Sequence, residues 1–165
     1  MASPERRYWD SAVFIAAIKA EPGRKEICEQ VLREAVAGNC EIVTSALTLT
    51  EVVRPHKKSV VLSKQNEDRI VAFFKHSYIK LVELDRTVGE MARRLIWEVN
   101  LGLPDSIHLA SAIHASAHVI ESWDDKLLKL NGKIPGCPTI REPAISAPHL
   151  PFPPPDTPAA PPDTQ

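Results

Sequence analysis

Apolar residues recur along this chain in two alternating rhythms. Short runs with the spacing of buried strands lie between longer stretches with the three-to-four-residue spacing of helices. RRYW is a short, polar-rich strand candidate ending near Asp10, after which Val13, Phe14 and Ile18 carry a helical pattern. Residues 22–38 place Ile27, Val31, Leu32 and Ala35 on one helical face, with Pro22 near the start and Gly38 and Asn39 as the stop. EIVTSA (41–46) is rich in β-branched residues and reads as a strand, and LTLTEVV (47–53) as a short helix that Pro55 ends.

SKQNEDRIVAFFKH predicts a capped amphipathic helix with Ile70, Val71, Phe73 and Phe74 inward. YIKLVELD follows as a strand, and Asp85 caps the helix RTVGEMARRLIWEVN, on which Trp97 reads as face packing. LPDSIHLASAIHAS is a helix with proline near its first turn, AHVIESW a strand, DDKLLKL a helical turn and PTIREP a last short strand. Strands alternating with helices imply an α/β domain, a three-layer α/β/α sandwich with a mainly parallel central sheet.

Composition bounds this picture. With 165 residues, 44% of them hydrophobic, the chain can build one domain with a real core, expected over residues 1–142. Nine of the fifteen prolines fall after residue 142. That stretch, 143–165, has no hydrophobic periodicity to repay the entropy of ordering, so a disordered, proline-rich tail is expected there. The formal charge of −1 excludes a protein that attracts polyanions with its whole surface, so any nucleic-acid site must be local. Cys28, Cys40 and Cys137 share no CxxC spacing and no apolar leader precedes them, which predicts reduced thiols and a cytoplasmic protein. No apolar run reaches the roughly 18 residues of a membrane span.

The acids change the picture most. In an open parallel sheet the loops after the strand carboxyl ends line one rim, where ligands bind. Asp10 ends the first strand, Glu51 sits one turn into the helix after the second, and Asp124 ends AHVIESW. Asp105 opens the helix feeding that strand, and joins the others if its helix starts at the same rim. Each acid alone also has a plain explanation: Asp10 as a helix cap, Asp105 as a partner of the helix dipole, Asp124 and Asp125 as turn residues. Glu51 is harder to explain this way, since it spends a position of a largely apolar helix on a charge. Ionised carboxylates about 4 Å apart repel by about 1 to 4 kcal/mol, so a cluster must be partly protonated or neutralised by a cation. Hard oxygen donors select Mg²⁺ or Mn²⁺.

With the frames YWDSAVFIAAI, TSALTLTEVV, LPDSIHLASAI and ESWDDKLLKL, spanning roughly residues 7–142, the chain resembles PIN-domain ribonucleases, including the VapC toxins of toxin-antitoxin pairs. The resemblance implies that Asp10, Glu51, Asp105 and Asp124 are the four catalytic, metal-holding carboxylates, with Ser11 and Ser122 as supporting hydroxyls. It implies an endoribonuclease acting through Mg²⁺ or Mn²⁺, leaving a 5′-phosphate and a 3′-hydroxyl, and a homodimer inhibited by a cognate antitoxin protein. The first strand is more polar than is usual in the family, and Asp125 doubles the fourth acid. Spacing from Ser122 favours Asp124 as the inward one. A catalytically silent RNA-binding or scaffolding domain on the same fold is the alternative.

Arg54, Lys57 and Lys58, just past Glu51, and Lys126, just past Asp124, are candidates to grip RNA phosphates or, equally, solvated charges. Trp9 and Trp123 each precede a candidate ligand, and strand alternation turns them toward the core rather than toward bases. His114 and His118 have no third partner pattern for zinc, and the serines lack the glycines of a nucleophile elbow.

Overall fold

The computed structural model describes residues 3–53 and 63–145. Arg54, Lys57, Lys58 and all of the expected tail beyond residue 145 lie outside it. In chain order the elements are β1 (Glu5–Trp9), α1 (Ser11–Ile18), α2 (Arg24–Val36), β2 (Cys40–Ser45), α3 (Thr48–Glu51), α4 (Lys64–Phe74), β3 (Ile79–Val82), α5 (Arg86–Val99), α6 (Leu103–His114), β4 (Val119–Glu121), α7 (Asp125–Leu128) and β5 (Thr139–Arg141). The strands form one sheet in the order β3-β2-β1-β4-β5, and every pairing is parallel.

Alternation along the strands splits the core in two. Tyr8, Val43 and Ile120 face a cluster completed by Val88 and Leu95 of α5 and by Leu109 and Ala112 of α6. Trp9, Ile42 and Ile79 face the opposite cluster, completed by Phe14 of α1, Val31 of α2 and Phe74 of α4. Helices cover both faces, giving the three layers that the alternation of strands and helices predicts. The helix α6 is buried from Ser106 through Ala112, as expected of a helix that is apolar nearly all round.

Local signals account for the helix starts. Asp85 Oδ1 accepts the Val88 amide at 2.9 Å and caps α5, and Ser63 caps α4 in the same way. Asn100 takes a left-handed conformation, φ 56°, and ends α5 as glycine often does.

Two packing expectations are corrected. Val71 is 47% exposed, because Ile70, Phe73 and Phe74 already fill the inward stripe of α4 and the next residue turns about 100° away from Ile70. Trp97 is 89% exposed on α5, whose buried stripe is Val88, Ala92 and Leu95.

The polar first strand turns out to be the middle of the sheet. Arg7 has no exposed side-chain surface, and neither does Glu121 of the neighbouring β4, with which it forms an ion pair. Arg7 Nε donates to Glu121 Oε2 at 3.2 Å and Nη1 to Glu34 Oε2 at 3.2 Å, while Nη2 reaches the Ala144 carbonyl. The Trp9 indole N–H and Arg141 also donate to Glu121, at 2.8 and 3.2 Å. Burial works against the Arg7 charge, but the hydrogen bond and attraction from Glu121 outweigh it and raise the pKa above its ordinary value.

Candidate active site at the carboxyl rim of the sheet

The strand order creates a reversal beside β1. The chain winds through β2 to β3 on one side of β1, then crosses to lay β4 on the other. A crevice forms at such a switch point, outside the strand carboxyl ends. Asp10 follows directly on β1, and Asp124 stands just beyond β4.

Asp10 is buried, only 3% exposed. Its Oδ1 accepts the Val13 amide at 3.2 Å, which caps α1, and its Oδ2 accepts the Ser122 hydroxyl. The same Ser122 Oγ accepts the Asp124 amide at 2.9 Å, and Asp124 Oδ1 accepts the Lys126 amide at 2.7 Å. One hydroxyl thus bridges the ends of β1 and β4. Ser11, the other expected supporting residue, is the half-buried first residue of α1.

Asp105 reaches this rim through α6. At the far end of that helix the Ala115 carbonyl accepts Arg6 Nη1 at 2.9 Å, which anchors it at the amino end of β1. Twelve residues of helix, about 18 Å at 1.5 Å per residue, carry Asp105 to the opposite rim. Glu51 is the last residue of α3, half-buried, and its Oε2 lies 2.8 Å from His108 Nε2.

The electrostatics tie the acids together. Burial pushes the Asp10 carboxyl above its ordinary range; Ser122, His108 and the Val13 amide oppose the shift, and the charge of Asp124 adds to it. Burial also raises Asp105, followed by repulsion from Asp124, with His108 and Lys126 opposing and Glu51 adding. Asp124 is half-buried and within electrostatic reach of both, whereas Asp125 is exposed at the start of α7. Of the expected RNA-contacting cations, Lys126 stands exposed at this edge.

Among the described residues, no three His, Cys, Asp or Glu side chains are already converged as a metal cage. Asp10 and Asp124 accept hydrogen bonds from protein donors, and Glu51 meets His108.

Two residues of this region are not singled out by the sequence pattern. His108 contacts Glu51 through Nε2 and the Tyr8 hydroxyl through Nδ1, each at 2.8 Å. The available signal was helical spacing: His108 lies three residues after Asp105 and therefore on the same face of α6. No comparable signal marks Tyr8, whose partner is distant in sequence. The thiols take no part here. Burial raises Cys28 to about 12 and Cys40 and Cys137 to about 11, so all three remain protonated and unreactive.

Fold and site together define a small α/β domain with acidic residues at the carboxyl rim of its sheet, beside the topological switch point. The family model described as PIN domain matches residues 7–133, and the chain belongs to that family. Solved structures agree in fold. A chain of a toxin-antitoxin complex from Klebsiella pneumoniae superposes with a TM-score of 0.60 at 23% identity, covering 83% of this chain and 97% of that one. A chain of VapBC2 from Rickettsia felis, solved bound to a DNA fragment from their promoter, gives 0.60 at 19% identity, covering 83% and 98%. VapC20 of Mycobacterium tuberculosis, a sarcin-ricin loop cleaving toxin, gives 0.54 at 12% identity, covering 72% and 89%. No curated protein matches the sequence.

Proposed function

We propose that this protein is an endoribonuclease dependent on Mg²⁺ or Mn²⁺, acting as the toxin of a toxin-antitoxin pair. The observation that carries the reading is the Ser122 hydroxyl, which donates to Asp10 and accepts the Asp124 amide at the ends of β1 and β4, beside the contact of Glu51 with His108 one turn along α6 from Asp105. The charges of Asp124 and Glu51 add to this grouping. The donor set suits a hard divalent cation. It is all oxygen, and burial and mutual repulsion oppose the charges of Asp10 and Asp105, which a cation would relieve.

Asp10, Asp105 and Asp124 would hold the ion, with Glu51 at its edge. Bound there, it would polarise the scissile phosphate and acidify a water. Ser122 keeps Asp10 and Asp124 in register. Glu51 takes the proton of the attacking water as its oxygen bonds to phosphorus. The bond from phosphorus to the 3′ oxygen breaks, that oxygen collects a proton from solvent, and a 5′-phosphate and a 3′-hydroxyl remain. Lys126 neutralises the RNA backbone at the edge of the site; Arg54, Lys57 and Lys58, outside the described residues, are proposed for the same task from their charge.

The antitoxin partner and the homodimer are proposed from likeness to the toxin-antitoxin complexes. Among the described residues no helix is long and apolar enough to cross a membrane. The proposed site of action is the cytoplasm. The alternative, a silent RNA-binding or scaffolding domain, draws on the acids being held by protein donors.

The test is incubation of the purified protein with total cellular RNA and Mg²⁺ or Mn²⁺, beside an EDTA control. Discrete cleavage products that vanish with EDTA are expected. RNA retention without cleavage selects the silent domain, and cleavage unaffected by chelation removes the metal from the account.

A further inference from the structure

Beneath Glu51 lies a buried polar chain that the proposed reaction does not by itself require. Tyr8 of β1 is fully buried and His108 of α6 is 3% exposed. Their rings meet edge-on at 71°, with centroids 6.0 Å apart. The Ser45 amide donates to the Tyr8 oxygen at 3.2 Å, which leaves the phenolic hydrogen to be placed. His108 Nδ1, 2.8 Å away, is placed to accept it, with the Ser111 and Thr44 hydroxyls also beside the phenol. A neutral imidazole whose Nδ1 accepts carries its proton on Nε2, and that N–H points at Glu51 Oε2, 2.8 Å distant. With that placement the donors and acceptors run in one direction from the Ser45 backbone to the Glu51 carboxylate.

We infer that His108 is a positioning residue for Glu51, with Tyr8 fixing its tautomer. The need is physical. Glu51 ends a helix of only four residues and is half-buried, so its side chain, with three rotatable bonds, depends on contacts outside its own helix for a fixed placement. α6 is fixed by burial along one side of the crevice, and its His108 hydrogen bond holds one Glu51 oxygen in place. The same helix carries Asp105 one turn earlier, so a single rigid element sets the distance between a proposed ion ligand and the proposed base. The role in catalysis rests on the nuclease reading above; the direction of the hydrogen bonds does not.

The experiment has two arms. Imidazole ¹⁵N chemical shifts are measured on the metal-free, RNA-free protein, wild type and Tyr8→Phe. The wild type shows His108 protonated at Nε2, and Tyr8→Phe, lacking the donor to Nδ1, shows mixed tautomers. RNA cleavage is then compared for His108→Leu, His108→Gln and the same changes in a Glu51→Ala background. His108→Leu lowers kcat by about 10- to 100-fold with KM unchanged. His108→Gln, which restores an N–H near the Nε2 position, recovers much of the loss. In Glu51→Ala the His108 substitutions cost nothing further, because the residue they act through is gone.

An Nδ1–H tautomer in the wild type, or a full His108→Leu loss in the Glu51→Ala background, overturns the assignment. A wild type that cleaves no RNA with either cation overturns the nuclease reading and the catalytic role with it. That failure is told apart from failure of the hydrogen-bond chain by the tautomer, which is read without RNA or metal.

Discussion

Asp10→Asn is expected to lower RNA cleavage by on the order of a hundredfold to a thousandfold while leaving the protein folded, the range found when one preorganised electrostatic group is removed. Asparagine caps helices about as well as aspartate, so α1 keeps its start. It also occupies nearly the same volume, and its amide oxygen can still accept from Ser122 or the Val13 amide. The change therefore removes charge and little else. Because burial holds the Asp10 carboxyl above its ordinary range, neutralising it does not lower the melting temperature at neutral pH. A purely structural Asp10 predicts the reverse sensitivity: any cost appears in thermal melting, and cleavage per folded molecule is unchanged. Measuring kcat/KM and the melting curve on the same preparation separates the two.

The largest expected effect on stability lies in the Arg7–Glu121 pair that joins β1 to β4. Glu121→Leu takes from the fully buried Arg7 its shortest ion pair and leaves it Glu34, while Arg7→Met leaves the fully buried Glu121 with Arg141; each single change costs up to about 3 to 5 kcal/mol. Glu121 also serves the Trp9 indole and Arg141, so its removal leaves a buried indole N–H unsatisfied as well. Replacing both partners together, Arg7→Met with Glu121→Leu, recovers most of the loss, since a buried pair is worth little more than apolar residues of the same volume. Urea denaturation of the two single variants and the double variant reads the coupling directly. Additive losses in the double variant would mean that the two side chains are stabilised independently, against the packing described.

These results also indicate what the sequence can and cannot disclose. The order of strands and helices was readable because each element announces itself locally, through the stripe of Ile70 and Phe74, the cap at Asp85 or the β-branched EIVTSA. The placement of the acids followed from topology, since every strand of a parallel sheet delivers its following residue to the same rim. Whether Asp105 joined them depended on the direction of α6, and only the contact between Arg6 and Ala115 fixes that. For the fourth acid, spacing from Ser122 favours Asp124, and in the structure the Ser122 hydroxyl accepts the Asp124 amide while Asp125 is exposed.

Arg7 resisted reading for a different reason. A charge in a central strand is tolerated only through its partner, and Glu121 stands more than a hundred residues away. The same distance in sequence hides Tyr8 from His108. Trp97 was misjudged because an aromatic residue in an amphipathic helix usually lies on its buried face, and here the alanine and leucine positions fill that face first.

The central claim, that these carboxylates gather around a divalent cation, is tested most directly by anomalous diffraction from Mn²⁺-soaked crystals of the protein. The account predicts a single strong region of anomalous density bounded by the carboxylates of Asp10, Asp105 and Asp124, and its loss in Asp10→Asn. Density that is absent from this rim, or that sits on other residues and persists in Asp10→Asn, would contradict it.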